Sequence, residues 1–313
     1  MNLLRRIKLR HLETFVEVAR LKSVSRAAEN LHLTQPAVTR TIRELEDICG
    51  KPLVEREGRG IRISMHGEIF LKHAGSSLAA ARNGLNALAE LSVADGPKIR
   101  LGALPTVSAT IIPRAVSDYL ESGMRNRLKV VTGENRALLD QLRNGELELV
   151  MGRLPAPESM QGLIFEPLFR DKVILAARAN HPLAAHRQFK VEALNQFPVL
   201  VPTQQSIIRP FVDRLFVEQG ITEPEQVIET VSDAFGRRFV EDYQAIWIIS
   251  RGVVSAEIDS GRFVSLPVDT ESTMGSVGLC TRADTPLSPA AAYFADITRR
   301  VVAEGYESRS TLA

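Results

Sequence analysis

Residues 25–62 read SRAAENLHLTQPAVTRTIRELEDICGKPLVEREGRGIR, and the helix starters and stops in this stretch decide the fold of the N-terminal region. Ser25 is suited to begin a short helix, because its hydroxyl can accept a hydrogen bond from an unpaired backbone N–H. Thr34 is suited to begin a second helix, which runs to about Cys49 and ends at Gly50. The stretch therefore predicts two helices joined by a tight turn.

A third helix precedes this pair and an arginine-rich hairpin follows it. Apolar residues at spacings of three and four predict the first helix over about 9–21. Gly58 and Gly60 suit the tip of a β-hairpin that covers residues 53–64. Three helices followed by a basic hairpin are typical of a winged helix-turn-helix, so a DNA-binding domain is predicted for residues 1–65.

The last helix has two different faces. Val38, Ile42, Leu45 and Cys49 fall on one side and are predicted to be core. Gln, Arg and Thr on the other side suit adenine, guanine and thymine edges, while arginines of the hairpin suit phosphates or a minor groove. An ordinary solvated helix face is the alternative, and the neighbouring elements favour DNA contact. The predicted DNA-binding residues are Thr34, Gln35, Pro36, Thr39, Arg40, Arg43, Arg56, Arg59 and Arg62.

Positive charge is concentrated at the N-terminus. Residues 1–66 carry 13 Lys and Arg against 8 Asp and Glu, although the whole chain of 313 residues has a net charge of only +2. The remaining residues are therefore mildly acidic. A basic module joined to an acidic body is expected of a nucleic-acid reader with a separate sensing part.

Composition narrows the class of protein. The opening residues MNLLRRIKLRH contain no signal-peptide core, and no apolar run approaches the roughly 20 residues of a membrane-spanning helix. A cytoplasmic protein with no membrane partner is predicted. Cys49 and Cys280 are predicted to be free thiols. The six histidines show no metal-ligand spacing, so no metal site is predicted.

A long helix is predicted over residues 66–92. Its leucines recur in a heptad pattern, and its length of about 40 Å suits a dimer that holds two DNA-binding modules apart. Packing on its own chain is the alternative. The predicted dimerisation residues are Leu71, Leu78, Leu85 and Leu88, and residues 93–98 are predicted to be a hinge.

Short apolar runs alternate with helical segments through residues 99–313. This pattern predicts an α/β effector domain with two lobes, each a mainly parallel sheet covered on both faces. Lobe I is expected to take about 99–170 and 275–313, and lobe II about 171–274. A cleft between such lobes commonly holds a small ligand.

Polar residues that follow the predicted strands are candidates for this cleft. Arg153 closes the apolar strand LVMG, where it pairs either with an anionic ligand or with a structural partner such as Asp233. Arg237 and Arg238 follow near a predicted crossover. The predicted effector-binding residues are Thr106, Val107, Ser108, Arg153, Thr203, Gln204, Ser206, Arg209 and Phe235.

The segment SRAAENLHLTQPAVTRTIRELEDICGKPLVER resembles the DNA-binding region of LysR-type transcriptional regulators, and the length and two-lobed body fit that family. Thr39, Cys49 and Val54 depart mildly from the usual pattern. The resemblance implies a periplasmic-binding-protein-like effector domain, a homodimer or homotetramer on double-stranded promoter DNA, and contact with RNA polymerase. It also implies that Gln35, Pro36, Thr39 and Arg40 face the DNA groove, and it implies no enzymatic activity.

Further segments, HLETFVEVAR, EREGRGIRIS, GALPTVS, VTGEN, QSIIRP, ETVSD and AIWIIS, are similar to the family's activators of the protocatechuate operon. That likeness implies no cofactor but a polycarboxylate coinducer, 3-carboxy-cis,cis-muconate or its lactone. A sister group with a sugar such as galactose as ligand is the alternative. A two-lobed α/β enzyme is disfavoured because no phosphate loop, nucleophile elbow or carboxylate dyad is evident. A constitutive DNA-bending protein with an empty cleft is the remaining hypothesis.

Overall fold

A computed structural model describes residues 3–58, 60–91, 98–124, 127–186, 191–221 and 224–310. The chain divides into two compact units. The first comprises Met1–Ala94 with Arg143–Glu146, and the second comprises Asp95–Leu142 with Leu147–Ala313. The predicted hinge lies outside the described residues, apart from its last residue, Lys98.

The first unit is the predicted winged helix-turn-helix with a long helix after it. Its core is formed by Phe15, Val18, Val38 and Leu45, which are fully buried where the three short helices meet. The wing is an antiparallel hairpin in which Glu57 lies opposite Gly60. The elements are α1 Leu9–Leu21, α2 Val24–Asn30, α3 Gln35–Cys49, β1 Val54–Glu57, β2 Gly60–Ile63 and α4 Met65–Leu91, after a 3-10 turn at Leu3–Arg6.

One local prediction in this unit is wrong. The N-cap of α2 is Ser23, whose Oγ accepts a hydrogen bond from the Arg26 N–H at 3.4 Å, and Ser25 lies inside the helix. The N-cap was misplaced because Ser23 and Ser25 offer the same side chain, and a shift of two positions changes little in the pattern. Half-buried Cys49 packs against the core on the predicted face of α3, and buried Ile48 extends that face.

The wing is fixed to the helices by short contacts. Glu46 Oε1 of α3 accepts hydrogen bonds from the N–H groups of Leu53 at 2.7 Å and Val54 at 3.1 Å. Gly67, in the first turn of α4, lies so close to the wing that an added Cβ would be 2.1 Å from the Leu53 carbonyl oxygen. A glycine is therefore required at this crossing.

The leucine seam of α4 has two different environments. Leu71 and Leu78 are half-buried and pack against the core of the first unit, on either side of buried Ala74. Leu85 is 69% exposed. The side chain of Leu88 lies outside the described residues. The first half of the seam thus packs on its own chain, and only the later part presents an exposed leucine.

The second unit contains two five-stranded sheets with helices around them. Its elements are β3 Lys98–Ala103, α5 Pro105–Ser108, α6 Ile111–Glu121, β4 Arg127–Thr132, α7 Asn135–Arg143, β5 Leu149–Arg153, β6 Leu163–Asp171, β7 Val173–Arg178, β8 Val199–Val201, α8 Arg209–Gln219, β9 Val227–Glu229, α9 Asp233–Asp242, β10 Ile246–Ser250, α10 Ser255–Asp259, β11 Phe263–Ser265, β12 Gly275–Arg282 and α11 Pro289–Ser310. Short 3-10 turns lie at Pro157–Met160, Pro182–Ala185, Val191–Gln196, Arg251–Val254 and Glu271–Thr273.

The strand order is β4-β3-β5-β12-β6 in lobe I and β11-β7-β10-β8-β9 in lobe II. Four of the five strands of each sheet run in one direction, in agreement with the predicted mainly parallel sheets, but each sheet also contains one reversed strand that was not predicted. In lobe I, β3 runs parallel to β4 and β5, but β12 runs antiparallel to β5 and β6. In lobe II, β8 runs parallel to β9 and β10, but β7 runs antiparallel to β10 and β11. The reversed strands β7 and β12 are those that enter a lobe directly from the other one.

Each lobe has its own apolar core. Lobe I packs α6 and α11 on its sheet, with Tyr119 edge-on to Phe294 at 5.8 Å between ring centroids. Lobe II buries Trp247, the single tryptophan of the chain, against Gly236 of α9, where an added Cβ would be 2.5 Å from the indole ring. Helix α9 was not predicted, so Arg237 and Arg238 lie on a helix rather than in a crossover.

Both cysteines are free thiols, as predicted. Within the parts of the chain that the structure describes, no helix is long and apolar enough to cross a membrane. The same residues contain no group of His, Cys, Asp and Glu side chains that could hold a metal ion.

Candidate functional site

The outward face of α3 carries the helix residues predicted to read DNA. Gln35, Pro36, Arg40 and Arg43 are exposed, and Thr34 is exposed at the N-cap position without a side-chain cap bond. Half-buried Thr39 donates its hydroxyl hydrogen to the Gln35 carbonyl at 3.0 Å. Two long basic side chains, an amide and a small methyl-bearing residue thus share one exposed helix face.

Arg40 is held in place by a neighbouring acid. Its side chain is 83% exposed, and its Nε lies 3.0 Å from Glu44 Oε1, one turn along α3. Glu44 also contacts Arg10 at 3.3 Å and buried His11 at 3.5 Å. The hydrogen bond from Arg40 is the main reason why the pKa of Glu44 is lowered. Exposed pairs of this kind are weak and screened by salt, so a phosphate or a guanine edge can displace Glu44.

The wing presents exposed arginines beside acids on the facing strand. Arg56 is exposed, and Arg62 pairs with Glu55 at 2.5 Å, because the hairpin register places these two residues opposite each other. Arg62 Nε is 3.7 Å from Glu57. Arg59 lies outside the described residues.

In the second unit a cavity of about 490 Å³ lies between the two lobes. In lobe I its wall follows the carboxyl ends of β3, β4 and β5, and in lobe II it follows the carboxyl ends of β8, β9 and β10. Four of the predicted effector residues line it: Thr106, Ser108, Arg153 and Ser206. Trp247 is almost fully buried in the wall of the same cavity.

Arg153 is the most unusual of these residues. Only 5% of it is exposed, its guanidinium lies 4.1 Å from the centroid of the Phe211 ring, and its Nη2 donates to the Thr273 carbonyl. Its Nε and Nη1 have no hydrogen-bond partner among the described residues. Burial lowers the pKa of Arg153, and the acid whose charge opposes this shift is Asp171, not Asp233 as the structural alternative supposed.

The other predicted effector residues lie outside the cavity wall. Arg209 is engaged by Asp213 at 2.7 Å and Glu229 at 2.8 Å. Val107 is fully buried in the core of lobe I, and Phe235 stacks on Phe239 with 5.4 Å between centroids. Thr203 and Gln204 also lie outside this wall. Position after a strand was therefore insufficient, because the direction of each side chain depends on contacts from distant segments.

Several polar residues of the cavity were not predicted. Thr132 ends β4 and is followed by Glu134 and Asn135, while Thr230, Ser232 and Asp233 follow β9. The signal that could have found them is the rule already applied to β3 and β8, that carboxyl ends of parallel strands meet at one edge. Applying it to every parallel strand would have added both segments.

Two family models match the chain. One describes a bacterial regulatory helix-turn-helix protein of the lysR family and matches residues 9–68. The other describes the LysR substrate binding domain and matches residues 94–303. The chain belongs to the LysR family. Members of this family bind promoter DNA, form oligomers and respond to small-molecule effectors, and the predicted regulator class is confirmed.

Relatives of this LysR regulator match most of the length of the chain. It is 50% identical to the HTH-type transcriptional regulator PcaQ of Agrobacterium fabrum over 305 residues, which cover 97% of this chain and 98% of that protein. It is 34% identical to the regulator YdcI of Escherichia coli over 283 residues, covering 90% and 92% of the two chains. A full-length OxyR variant from Pseudomonas aeruginosa shares the fold with a TM-score of 0.57 at 24% identity, covering 93% and 97%.

Proposed function

We propose that this LysR regulator activates genes of protocatechuate catabolism in response to a small carboxylate coinducer such as 3-carboxy-cis,cis-muconate. The single observation that carries the pathway is the 50% identity to PcaQ over nearly the whole of both proteins. The chemistry of the cleft agrees with an acidic ligand. Arg153 is the cationic side chain of the described wall and is incompletely hydrogen-bonded, and a ligand carboxylate near it would oppose the cost of burying its charge.

On DNA, we assign two kinds of contact. Gln35, Thr39 and Arg40 on α3 read base edges in the major groove, whereas Arg56 and Arg62 on the wing contact the phosphate backbone. The support is that four of these residues are exposed and Thr39 is partly exposed, on a helix and a hairpin whose other faces are buried.

The same proposal includes a homodimer or homotetramer. Leu71 and Leu78 are largely used by the first unit itself, so the exposed Leu85 marks the part of α4 that is free to pair with a second copy. An exposed leucine at a heptad position on a helix of about 40 Å fits this role. Contact with RNA polymerase completes the proposed activation.

The test is fluorescence anisotropy of the full-length protein on DNA from upstream of its own gene, at one fixed salt concentration. Addition of 3-carboxy-cis,cis-muconate is expected to change the affinity or the footprint, and galactose is expected to have no effect. A response to galactose alone would support the sugar-sensing alternative. Specific DNA binding without a response to either compound would retain the regulator class and overturn the pathway.

A further inference from the structure

The charges that line the inter-lobe cavity are unequal. Arg153 is the one cationic side chain in the described wall, whereas Glu134 and Asp233 are both acidic. The other arginines predicted near the cleft do not correct this balance, because carboxylates hold them elsewhere. Arg209 pairs with Asp213 and Glu229, Arg237 with Glu257, and Arg238 with Asp242.

The cationic side chain of the wall and one of its two acidic side chains belong to different lobes. Arg153 ends β5 in lobe I, and Asp233 begins α9 in lobe II, next to the capping residue Ser232. The first turn of a helix of ten residues would normally favour a ligand carboxylate. Here the first residue of the helix, Asp233, is itself acidic and lines the cavity, so a second ionised carboxylate is disfavoured there.

Asp233 has little compensation from its neighbours. Burial raises its pKa, and Arg237 on the same helix only partly opposes the shift. The Arg237 guanidinium is itself engaged, since Nε lies 3.2 Å from Glu257 and Nη2 donates to the Val253 carbonyl at 2.5 Å. From the facing lobe, the charged groups of the cavity wall are Glu134 and Arg153.

We propose that Asp233 sets ligand specificity: it selects a ligand that offers an ionised carboxylate to Arg153 and a hydrogen-bond donor to Asp233. A hydroxyl group supplies such a donor directly. A polycarboxylate supplies it only if one proton is taken up from solvent and shared between Asp233 and the second carboxyl, because two facing carboxylates cannot both be ionised at low cost. This inference rests on the proposed function, since it requires an acid in the cleft.

The consequence is a defined pH dependence. A complex that needs one additional proton weakens as the pH rises, by up to about tenfold for each pH unit above the pKa of the free groups. The ordinary pKa values of carboxylic acids lie near about 4, so proton uptake near neutral pH must come from the shared pair.

Calorimetry of the full-length protein with 3-carboxy-cis,cis-muconate tests this inference, at about pH 6 and about pH 8 and in two buffers of different ionisation enthalpy. The wild type is expected to take up close to one proton and to bind at least tenfold more weakly at the higher pH. In Asp233→Asn the amide donates to the carboxylate without a proton, so uptake and pH dependence should disappear. Asp242→Asn, at the far end of α9 in an exposed pair with Arg238, is the matched control and should behave as the wild type.

The pH dependence can also be tested by changing the ligand instead of Asp233. Protocatechuate carries one carboxylate and two hydroxyls, and it should bind the wild type without proton uptake. Binding of the muconate with the same proton uptake in the wild type and in Asp233→Asn would overturn this inference and leave the proposed function intact. If neither acid binds either protein, the proposed function falls and the role of Asp233 falls with it.

Discussion

The arginines of the two units are used in opposite ways. Arg40 and Arg62 in the first unit have side chains 83% and 61% exposed, and their acidic neighbours lie on the same helix or hairpin. Arg209 in the second unit is only 15% exposed and is held partly by Glu229, 20 residues away in sequence. Arg153 is held by Thr273, 120 residues away. Local periodicity thus places the DNA-facing arginines, whereas the tertiary fold decides whether an arginine reaches the cleft.

The largest expected effect is at Arg153, the buried arginine of the cleft. Arg153→Met keeps the volume and removes the charge, so we expect a loss of ligand affinity of about 3 kcal/mol, roughly a hundredfold, because a buried charge pair loses one partner. DNA affinity without ligand should stay within about twofold. The measurement is ligand titration followed by DNA anisotropy.

Arg238→Met is the control, since Arg238 is exposed and pairs with Asp242 on its own helix. It should leave the ligand response unchanged. An unaltered ligand response in Arg153→Met, together with a lowered thermal stability, would assign Arg153 to the structural network around Thr273 instead.

The second largest effect concerns the junction of wing and α4 in the first unit. Gly67→Ala places a Cβ against the Leu53 carbonyl oxygen, and we expect a loss of roughly 2 to 3 kcal/mol of stability in this unit. Gly84→Ala on the same helix is the matched variant, because nothing lies within 4 Å of its added Cβ. It should stabilise α4 by about 0.5 to 1 kcal/mol. Thermal unfolding and DNA titration distinguish the two variants. Equal changes in stability would refute the close contact between Gly67 and Leu53.

The DNA-facing arginines give a smaller and more selective effect. Arg40→Ala should weaken binding to the promoter by roughly 1 to 3 kcal/mol and relax base preference. Arg56→Ala on the wing should reduce affinity for promoter and random DNA by similar factors and lower the salt dependence. Titrations on both DNAs at two salt concentrations measure this. If both variants lose affinity equally on both DNAs, the division between base and phosphate contacts is wrong.

The smallest expected effect comes from one buried histidine in each unit. His11 and His181 are each 2% exposed, and burial is the main cause that lowers the pKa of each below 6.5. A lowered folded pKa means that the unfolded chain binds the proton more readily, so stability present above pH 6.5 is lost as the pH falls below that value.

His11→Asn should therefore reduce the acid sensitivity of the first unit, and His181→Asn that of the second. Denaturant titrations at about pH 7.5 and about pH 5.5, read by proteolysis and fragment mass, resolve the units separately. Acid sensitivity that is unchanged in each variant would show that these histidines are not the groups that titrate.

The sequence predicted the first unit well because its information is local. Helix periodicity and the glycines at the wing tip identify elements whose contacts lie within a few tens of residues. The error at Ser25 was a shift of two positions. In the second unit the alternation of strands and helices predicted two lobes, but the reversed strands β7 and β12 depend on where the chain crosses between lobes, which no local pattern encodes.

The sequence predicted the position of the cleft between the lobes, but it predicted only some of the residues that line it. Arg153 was identified because an arginine inside an apolar strand is costly without a partner. The prediction that Arg209 lines the cleft was wrong for the opposite reason. Its partners Asp213 and Glu229 are ordinary surface acids, and only the folded chain brings both to it. Asp233 was considered only as a partner of Arg153, because the helix that it begins was not recognised.

Trp247 gives the molecule a built-in optical reporter. It is the single tryptophan of 313 residues, and it lies in the wall of the inter-lobe cavity. All indole emission of the protein therefore originates beside the cleft, where Gly236 and the surrounding lobe II core shield the ring from water. Occupancy of the cleft can be followed on the unlabelled protein, with or without DNA, by the colour and intensity of that emission.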